Sequence, residues 1–309
     1  MKRLLNCTAS DFASMNKDEL LQSIQASEGR TMLAEVVCST TPLYPGLTNA
    51  EYVAAFGADL VLLNVFDVDK PSVEGLELLE KKVETNDIIQ TVKELVGRPV
   101  GINLEPVDIH ANELETLEQL PAGRRATDNT IQKAIGLGVD FICLTGNPKT
   151  GVSNDAIEKA IKMVKNIAGD KILIIAGKMH GAGTKIDTAE GLADNVSVQR
   201  FVQAGADIVL VPGVGTVPGA TLSKTERLIQ AIHNEGALAL TTIGTSQEGS
   251  TVETIQNIAL YNKMAGADVH HIGDAGLHGI APPENIMNYS IAIRGKRHTY
   301  TRMAASIKR

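Results

Sequence analysis

The chain has 309 residues, 43% of them hydrophobic, and a formal net charge of −7. That is ample for a sizeable core, and an acidic balance without a Lys/Arg stripe argues against a nucleic-acid partner. No apolar run reaches the roughly 18 residues of a membrane span, the start of the chain turns polar at once and reads as no signal peptide, and three scattered cysteines, Cys7, Cys38 and Cys143, form neither a disulfide framework nor a zinc motif, which fits a reducing cytoplasm.

Residues 1–28 precede any strand, and within them Lys17–Ala26 reads as a helix that would plug the base of a barrel. Short runs rich in Val, Ile and Leu then recur, as strands buried on both faces should. They are Thr31–Val37, Asp59–Val65, Pro99–Leu104, Asp140–Thr145, Lys171–Gly177, Asp207–Pro212, Ala237–Thr242 and Asp268–Ile272. Helical periodicity fills most of the gaps, most clearly over Asp128–Leu137, Asp155–Ala168, Lys224–Asn234 and Val252–Ala265. Asn49-Ala50-Glu51 and Ser153-Asn154-Asp155 read as helix N-caps. Even-numbered strands follow Gly57-Ala58-Asp59, Gly138-Val139-Asp140, Gly205-Ala206-Asp207 and Gly266-Ala267-Asp268, and odd-numbered ones follow Gly29, Gly97, Gly169 and Gly236. Two strands in a period of about 70 residues make a βαβα module, and four modules close into a (β/α)8 TIM barrel. The chain therefore reads as one domain, with a barrel core over 29–281 and a C-terminal helix and tail over 282–309. The basic stretch Arg294 to Arg309 is either a solvated final helix or a subunit contact, and barrels of this kind commonly form homo-oligomers. The glycines suit helix C-termini, and the aspartates read as structural groups at the bottom of the barrel. Long loops follow strands two, three and five, on the face where barrels place their chemistry.

Strand residues alternate faces, so the repeats supply a register. Glu35, Asn103, Ile175 and Thr242 share one inward level on the odd strands, with Glu105 two residues above Asn103. Asn64, Thr145, Pro212 and Gly273 share another on the even strands, and His271 faces inward one step below, with His270 outward. An uncompensated polar group in a doubly buried strand costs several kcal/mol. Glu35, Asn64, Asn103, Glu105, Thr145 and Thr242 are therefore expected to share one wet pocket. No cofactor is implied. A divalent metal, if one is used, would fall to Glu35, Glu105 and His271, although no HxH or HExxH cluster supports it. Lys178 and His180 follow the fifth strand in Gly177-Lys178-Met179-His180-Gly181-Ala182-Gly183. Lys178 suits a fixed cation for a phosphate or an enolate oxygen better than a Schiff base. His180 is either an acid or base near neutral pH or a solvent-exposed loop residue.

Three strand ends are glycine-rich: Gly213, Gly215 and Thr216 after the sixth, Gly244, Thr245 and Ser246 after the seventh, and Gly273 after the eighth. Such turns let backbone amides converge on a phosphate, and barrels often bind phosphate after strands seven and eight. Asp274 counts against that placement.

Several of these strand ends resemble the BtpA-like family, relatives of the ribulose-phosphate-binding barrels. Pro42-Leu43-Tyr44-Pro45-Gly46 is similar to that family's proline–glycine turn. Gly57-Ala58-Asp59 through Asn64-Val65-Phe66-Asp67 is similar to its Gly-x-Asp…Glu-Asn-Phe-x-Asp segment, with Leu63 in place of the glutamate. Pro99-Val100-Gly101-Ile102-Asn103 is similar to its third strand, and Gly213-Val214-Gly215-Thr216 resembles an altered form of its Thr-Gly-x-x-Thr-Gly turn. The eighth strand and the tail after Pro282 look like a group of bacterial barrels loosely labelled phosphonomutase-like or haloacid-dehalogenase-like. Neither the phosphonomutase Asp-Lys-x-x-Pro-Lys loop nor the dehalogenase N-terminal Asp-x-Asp is present.

The expectation drawn from the residues is an enzyme acting on a small phosphorylated metabolite. Its reaction would be sugar-phosphate lyase or aldolase chemistry, or isomerisation. A glycoside- or nucleoside-type hydrolase working between Glu35 and Glu105 is the alternative, and a non-catalytic assembly or regulatory barrel is another.

Overall fold

The strand–helix repeat closes as its period requires. The computed structural model describes residues 2–107, 120–146, 152–179, 193–274, 276 and 278–309. Eight parallel strands form a closed barrel in sequence order: β1 Thr31–Val37, β2 Leu60–Asn64, β3 Val100–Leu104, β4 Phe141–Leu144, β5 Leu173–Gly177, β6 Ile208–Pro212, β7 Leu238–Ile243 and β8 Val269–Ile272. Around it lie α1 Ala9–Ser14, α2 Lys17–Gln25, α3 Asn49–Ala55, α4 Ile88–Val96, α5 Asp128–Gly136, α6 Asn154–Ala168, α7 Asn195–Ala204, α8 Leu222–Asn234, α9 Val252–Met264 and α10 Pro283–Ala304. Within the described residues no helix is long and apolar enough to cross a membrane. The three cysteines are buried and unpaired.

The caps follow local chemistry. Ser153 accepts the amide of Ala156 and caps α6 as expected. The cap of α3 lies one residue earlier than expected. Thr48 accepts from the Glu51 amide while the Glu51 carboxylate accepts from the Thr48 amide, a reciprocal box that Asn49 cannot form from inside the helix. Asn49 instead accepts from the Leu43 amide and donates to the His278 carbonyl.

Two apolar layers result from the alternation. Outward side chains such as Val36, Val61, Ile102 and Ile174 pack under the helices. Inward ones such as Leu33, Leu62, Phe141, Ile175, Leu210 and Leu240 fill the barrel, and Leu4, Phe12, Leu20 and Ile24 of the N-terminal segment join them at the base. Phe141 reaches across β3, where a Cβ on Gly101 would lie 2.2 Å from its ring, so that position is held to glycine.

The recurring aspartates staple the strand pairs at the base. Asp59 accepts the amide of Met32, Asp140 that of Val100, Asp207 that of Ile174 and Asp268 that of Ala239, each at 2.8 Å. The backbone amides of the same aspartates donate back to the carbonyls of those four residues. Each carboxylate also meets a basic side chain: Lys93 for Asp140, Lys17 for Asp207 and His233 for Asp268. Fully buried Asp59 takes two, Arg294 and Arg302. Asp59→Ala strands both guanidiniums, and its unfolding free energy in urea is expected to fall by about 3–5 kcal/mol.

His270 lies on the outward face of β8, fully buried, with Nδ1 facing the Tyr289 hydroxyl at 3.2 Å and Nε2 facing the Gly29 carbonyl at 3.1 Å. A carbonyl only accepts, so Nε2 carries the proton and the ring is neutral. Burial, first among the causes, lowers its pKa to about 4. The unfolded chain binds a proton near pH 6.5 that the folded chain does not, so this stability is complete above about pH 6.5 and is lost as pH falls towards 4. The loss amounts to roughly 3 kcal/mol. Denaturant melts from pH 7 to pH 4 should show that slope, and His270→Gln should flatten it.

Candidate active site

At the C-terminal ends of the strands a cavity of about 410 Å3 opens, lined by Glu35, Asn64, Asn103, Glu105 and Thr145 together with Gly244, Ser246 and Gly273. Five of the six polar strand residues expected to share a pocket therefore do so. Their wall is continuous. Asn103 Nδ2 donates to Asn64 Oδ1 at 3.2 Å, and Asn64 Nδ2 donates to Glu35 Oε1 at 2.6 Å. His271 Nε2 meets Glu35 Oε2 at 2.8 Å from beneath, so a chain of polar contacts crosses β3, β2, β1 and β8. Because a carboxylate accepts, Nε2 is the protonated nitrogen of the ring. Asn103 Oδ1 is buried with no hydrogen-bond partner among the described residues.

The end of β2 is held in an unusual backbone state to make this arrangement. Val65 has φ +61°, and its amide donates to the Asn64 side-chain oxygen at 2.8 Å. A β-branched residue in the left-handed region costs roughly 1–3 kcal/mol, which functional sites tolerate when the surroundings enforce it.

Arg124, Glu248 and Asp274 also line the cavity, and the strand register could not have reached them. Arg124 lies on the segment that returns beside β3. Its carbonyl accepts the Glu105 amide at 2.8 Å and its guanidinium donates to Glu105 Oε1 at 2.7 Å. Glu248 is buried beneath Gly273, where a Cβ would stand 2.8 Å from Glu248 Oε1. The Asp274 carboxyl is pushed up from its ordinary range by burial first and by the Glu35 charge next. Leu62, Leu120, Pro121 and Met179 supply the apolar remainder of the wall.

Other expected positions lie off it. Thr242 faces inward but sits a level too deep, and its hydroxyl donates to the Val211 carbonyl at 3.3 Å. The amides of the turn after β6 are engaged within the protein: Gly213 N donates to Thr242 O of β7, Gly215 N to Ala220 O and Thr216 N to Gly213 O. Thr216 Oγ1 donates to Gly213 O, and Thr245 Oγ1 sits 2.9 Å from Thr216 O and 2.7 Å from Gln247 Oε1. Gly213, Gly215, Thr216 and Thr245 are therefore engaged in closing loops and do not line the cavity. Lys178 follows the inward-facing Gly177 and is also off the wall. Burial lowers its pKa, and the charge that opposes this is Asp155 of α6. His180 lies outside the described residues. Of the three conditional metal ligands, Glu35 and His271 meet while Glu105 is bound by Arg124. Among the described residues no three His, Cys, Asp or Glu side chains converge on a common point.

Fold and mouth together define a (β/α)8 barrel with a carboxylate-rich polar pocket at its C-terminal face. The chain belongs to the family of the domain of unknown function DUF7916, whose model matches residues 5–309. Among solved structures it is similar to an archaeal fructose 1,6-bisphosphate aldolase, with a TM-score of 0.57 and 12% identity over 90% of this chain and 99% of that one. It is also similar to 2,3-dimethylmalate lyase, a member of the PEP mutase/isocitrate lyase superfamily, with a TM-score of 0.50 and 13% identity over 85% and 82% of the two chains. At these identities the likeness is one of fold. No curated protein matches the chain.

The unpartnered Asn103 oxygen generates a prediction. Asn103→Leu removes a buried unpaired carbonyl while Asn64 Oδ1 keeps the Val65 amide. Its unfolding free energy is expected to rise by about 1 kcal/mol. Stabilisation of the protein by any ligand of the pocket should disappear in the same variant, and both effects are read by thermal denaturation with and without ligand.

Proposed function

We propose that the pocket is a catalytic site for proton transfer on a small polyhydroxylated carbonyl compound, cleaving or forming a C–C bond as a lyase or aldolase does, or isomerising the carbonyl. The observation that carries this reading is the Glu35 carboxylate, on the cavity wall and fixed from two sides by Asn64 and His271. A carboxylate has about four lone-pair positions, so two hydrogen bonds leave capacity to take a proton. In cleavage, Glu35 removes the proton of a hydroxyl, the adjacent C–C bond breaks, and its electron pair becomes an enolate. In isomerisation, Glu35 removes the proton beside the carbonyl, giving an enediolate. In either case Asp274, whose environment favours the protonated carboxyl, is placed to return a proton. Asn103 holds Asn64, and His271 fixes the direction of Glu35. The segments resembling BtpA-like barrels supply Asn64 and Asn103 to this set.

A substrate phosphate, expected from the glycine-rich turns, is the less supported part of the reading. Among the described residues lining the cavity Arg124 is the one arginine or lysine, whereas Glu248 and Asp274 stand near Gly244 and Ser246. We place an anionic end of the substrate towards Arg124. The hydrolase alternative asks Glu105 to oppose Glu35 as a second working carboxyl, and Arg124 already occupies one of its oxygens.

Glu35→Gln preserves shape and hydrogen bonding but cannot accept the proton. Once turnover is found among hydroxylated aldehydes and ketones, tested with and without phosphate, this variant should lower kcat by at least about 100-fold with an unchanged melting temperature. Lys178→Met should retain activity. Equal turnover by Glu35→Gln and the parent would end the proposal.

A further inference from the structure

The base of the barrel, opposite the mouth, carries a second cavity of about 550 Å3 between the N-terminal segment and the last turns of α10. Among the described residues its wall includes Arg3, Arg297, His298, Arg302 and Arg309, and no aspartate or glutamate side chain. The chain reaches this place through a break in α10 at Gly295, where φ +76° and ψ 164° redirect the helix. From Asn285 to Arg309 the sequence contains no acidic residue.

Charge at this end is out of balance. Arg302 is committed: it donates to Asp59 and to the carbonyls of Cys7 and Leu4. Asp59 also serves Arg294, while buried Arg98 donates only to the carbonyls of Ala58, Gly97 and Arg302. Two buried guanidiniums thus share one carboxylate, and a third has carbonyl partners alone. On the cavity wall itself, no hydrogen bond or ion pair among the described residues engages the Arg3 guanidinium. The Arg297 guanidinium has only the His298 ring, 3.1 Å away. His298 registers the field: burial first, then Arg297, Arg30, Arg3 and Arg294, hold its pKa below the ordinary value. Asp11 of α1, which also belongs to this end, is paired with Lys2 at 2.5 Å. Arg3 and Arg297, collected in a recess whose wall carries no acidic side chain among the described residues, favour an anion that fills it.

We propose that this basal cavity binds a multiply charged oxyanion of the phosphate kind, either a free phosphate or the phosphate group of a small metabolite, with Arg3 and Arg297 as the principal donors. A guanidinium offers a planar fork that matches phosphate oxygens, and two such forks from separate segments define a specific seat. The anion joins the chain around residue 3 to the end of α10 and so reinforces the cover of the barrel's base. This site is separated from the catalytic mouth by the length of the barrel and does not rest on the reaction assigned there.

Thermal denaturation of the full chain, with phosphate or pyrophosphate replacing chloride at constant ionic strength, provides the test. Millimolar phosphate is expected to raise the melting temperature. Pairing Arg3→Gln with Arg297→Gln should weaken apparent binding at least tenfold while leaving the melting temperature in chloride unchanged. Arg3→Gln alone, which breaks no internal contact, should already weaken it. Arg124→Gln in the mouth should keep the part of the response that the double variant loses. A larger shift with a phosphorylated sugar than with inorganic phosphate would assign the seat to a metabolite, and the reverse order to the free ion. The proposal is overturned if phosphate and chloride give the same melting temperature. It is equally overturned if the double variant responds like the parent.

Discussion

The barrel depends on one repeated bond: a carboxylate at the start of each even strand accepting the first inner amide of the strand before it. In a closed sheet the amides at the strand starts have no helix or turn to satisfy them, and an unpaired buried amide costs about as much as a lost hydrogen bond. Asp59, Asp140, Asp207 and Asp268 remove that cost at β1–β2, β3–β4, β5–β6 and β7–β8. Each module thereby carries a bond that fixes its own strand register. A one-residue slip would turn every polar tip from the barrel interior into the helical shell, so the pocket at the top is held in place by carboxylates at the bottom.

This division explains which parts of the molecule could be read from the chain. The strands and their inward faces follow from local periodicity and the leading glycines, and Glu35, Asn64, Asn103, Glu105 and Thr145 were legible because an isolated polar residue in a doubly buried strand needs a wet neighbour. Thr242 obeys the same register yet falls short of the cavity, because its hydroxyl finds a carbonyl on β6. Arg124, Glu248 and Asp274 belong to segments outside the strands whose path depends on tertiary packing, and no period announces them. Glycine-rich composition also proved ambiguous: in Gly213–Thr216 the amides that a phosphate would need close the turn upon itself. Lys178 illustrates the converse case, since a residue one step beyond a strand end takes whichever face the strand leaves it, and here that face is towards α6.

The two ends of the barrel use charged side chains differently. At the top, Glu35, Glu105, Glu248 and Asp274 line the cavity with Arg124, which is paired with Glu105. At the bottom, beside the stapling carboxylates, Arg294 and Arg302 share Asp59 while Arg98 donates to carbonyls. Arginine suits that work because its five donors can satisfy several chain ends at once, and its charge resists removal by burial. The N-terminal segment and α10 are held to the base through Arg302, which bonds Leu4 and Cys7 on one side and Asp59 on the other.

The upper end makes the complementary compromise. A valine in the left-handed region, an asparagine oxygen with no donor among the described residues, and a carboxyl pushed towards its neutral form each cost stability. Such costs persist where geometry is needed for something other than folding. All three belong to one wall: Val65 and Asn103 both donate to the Asn64 side chain, Asn64 donates to Glu35, and burial first and the Glu35 charge next raise Asp274. The stapled base supplies the stability that this strained wall consumes.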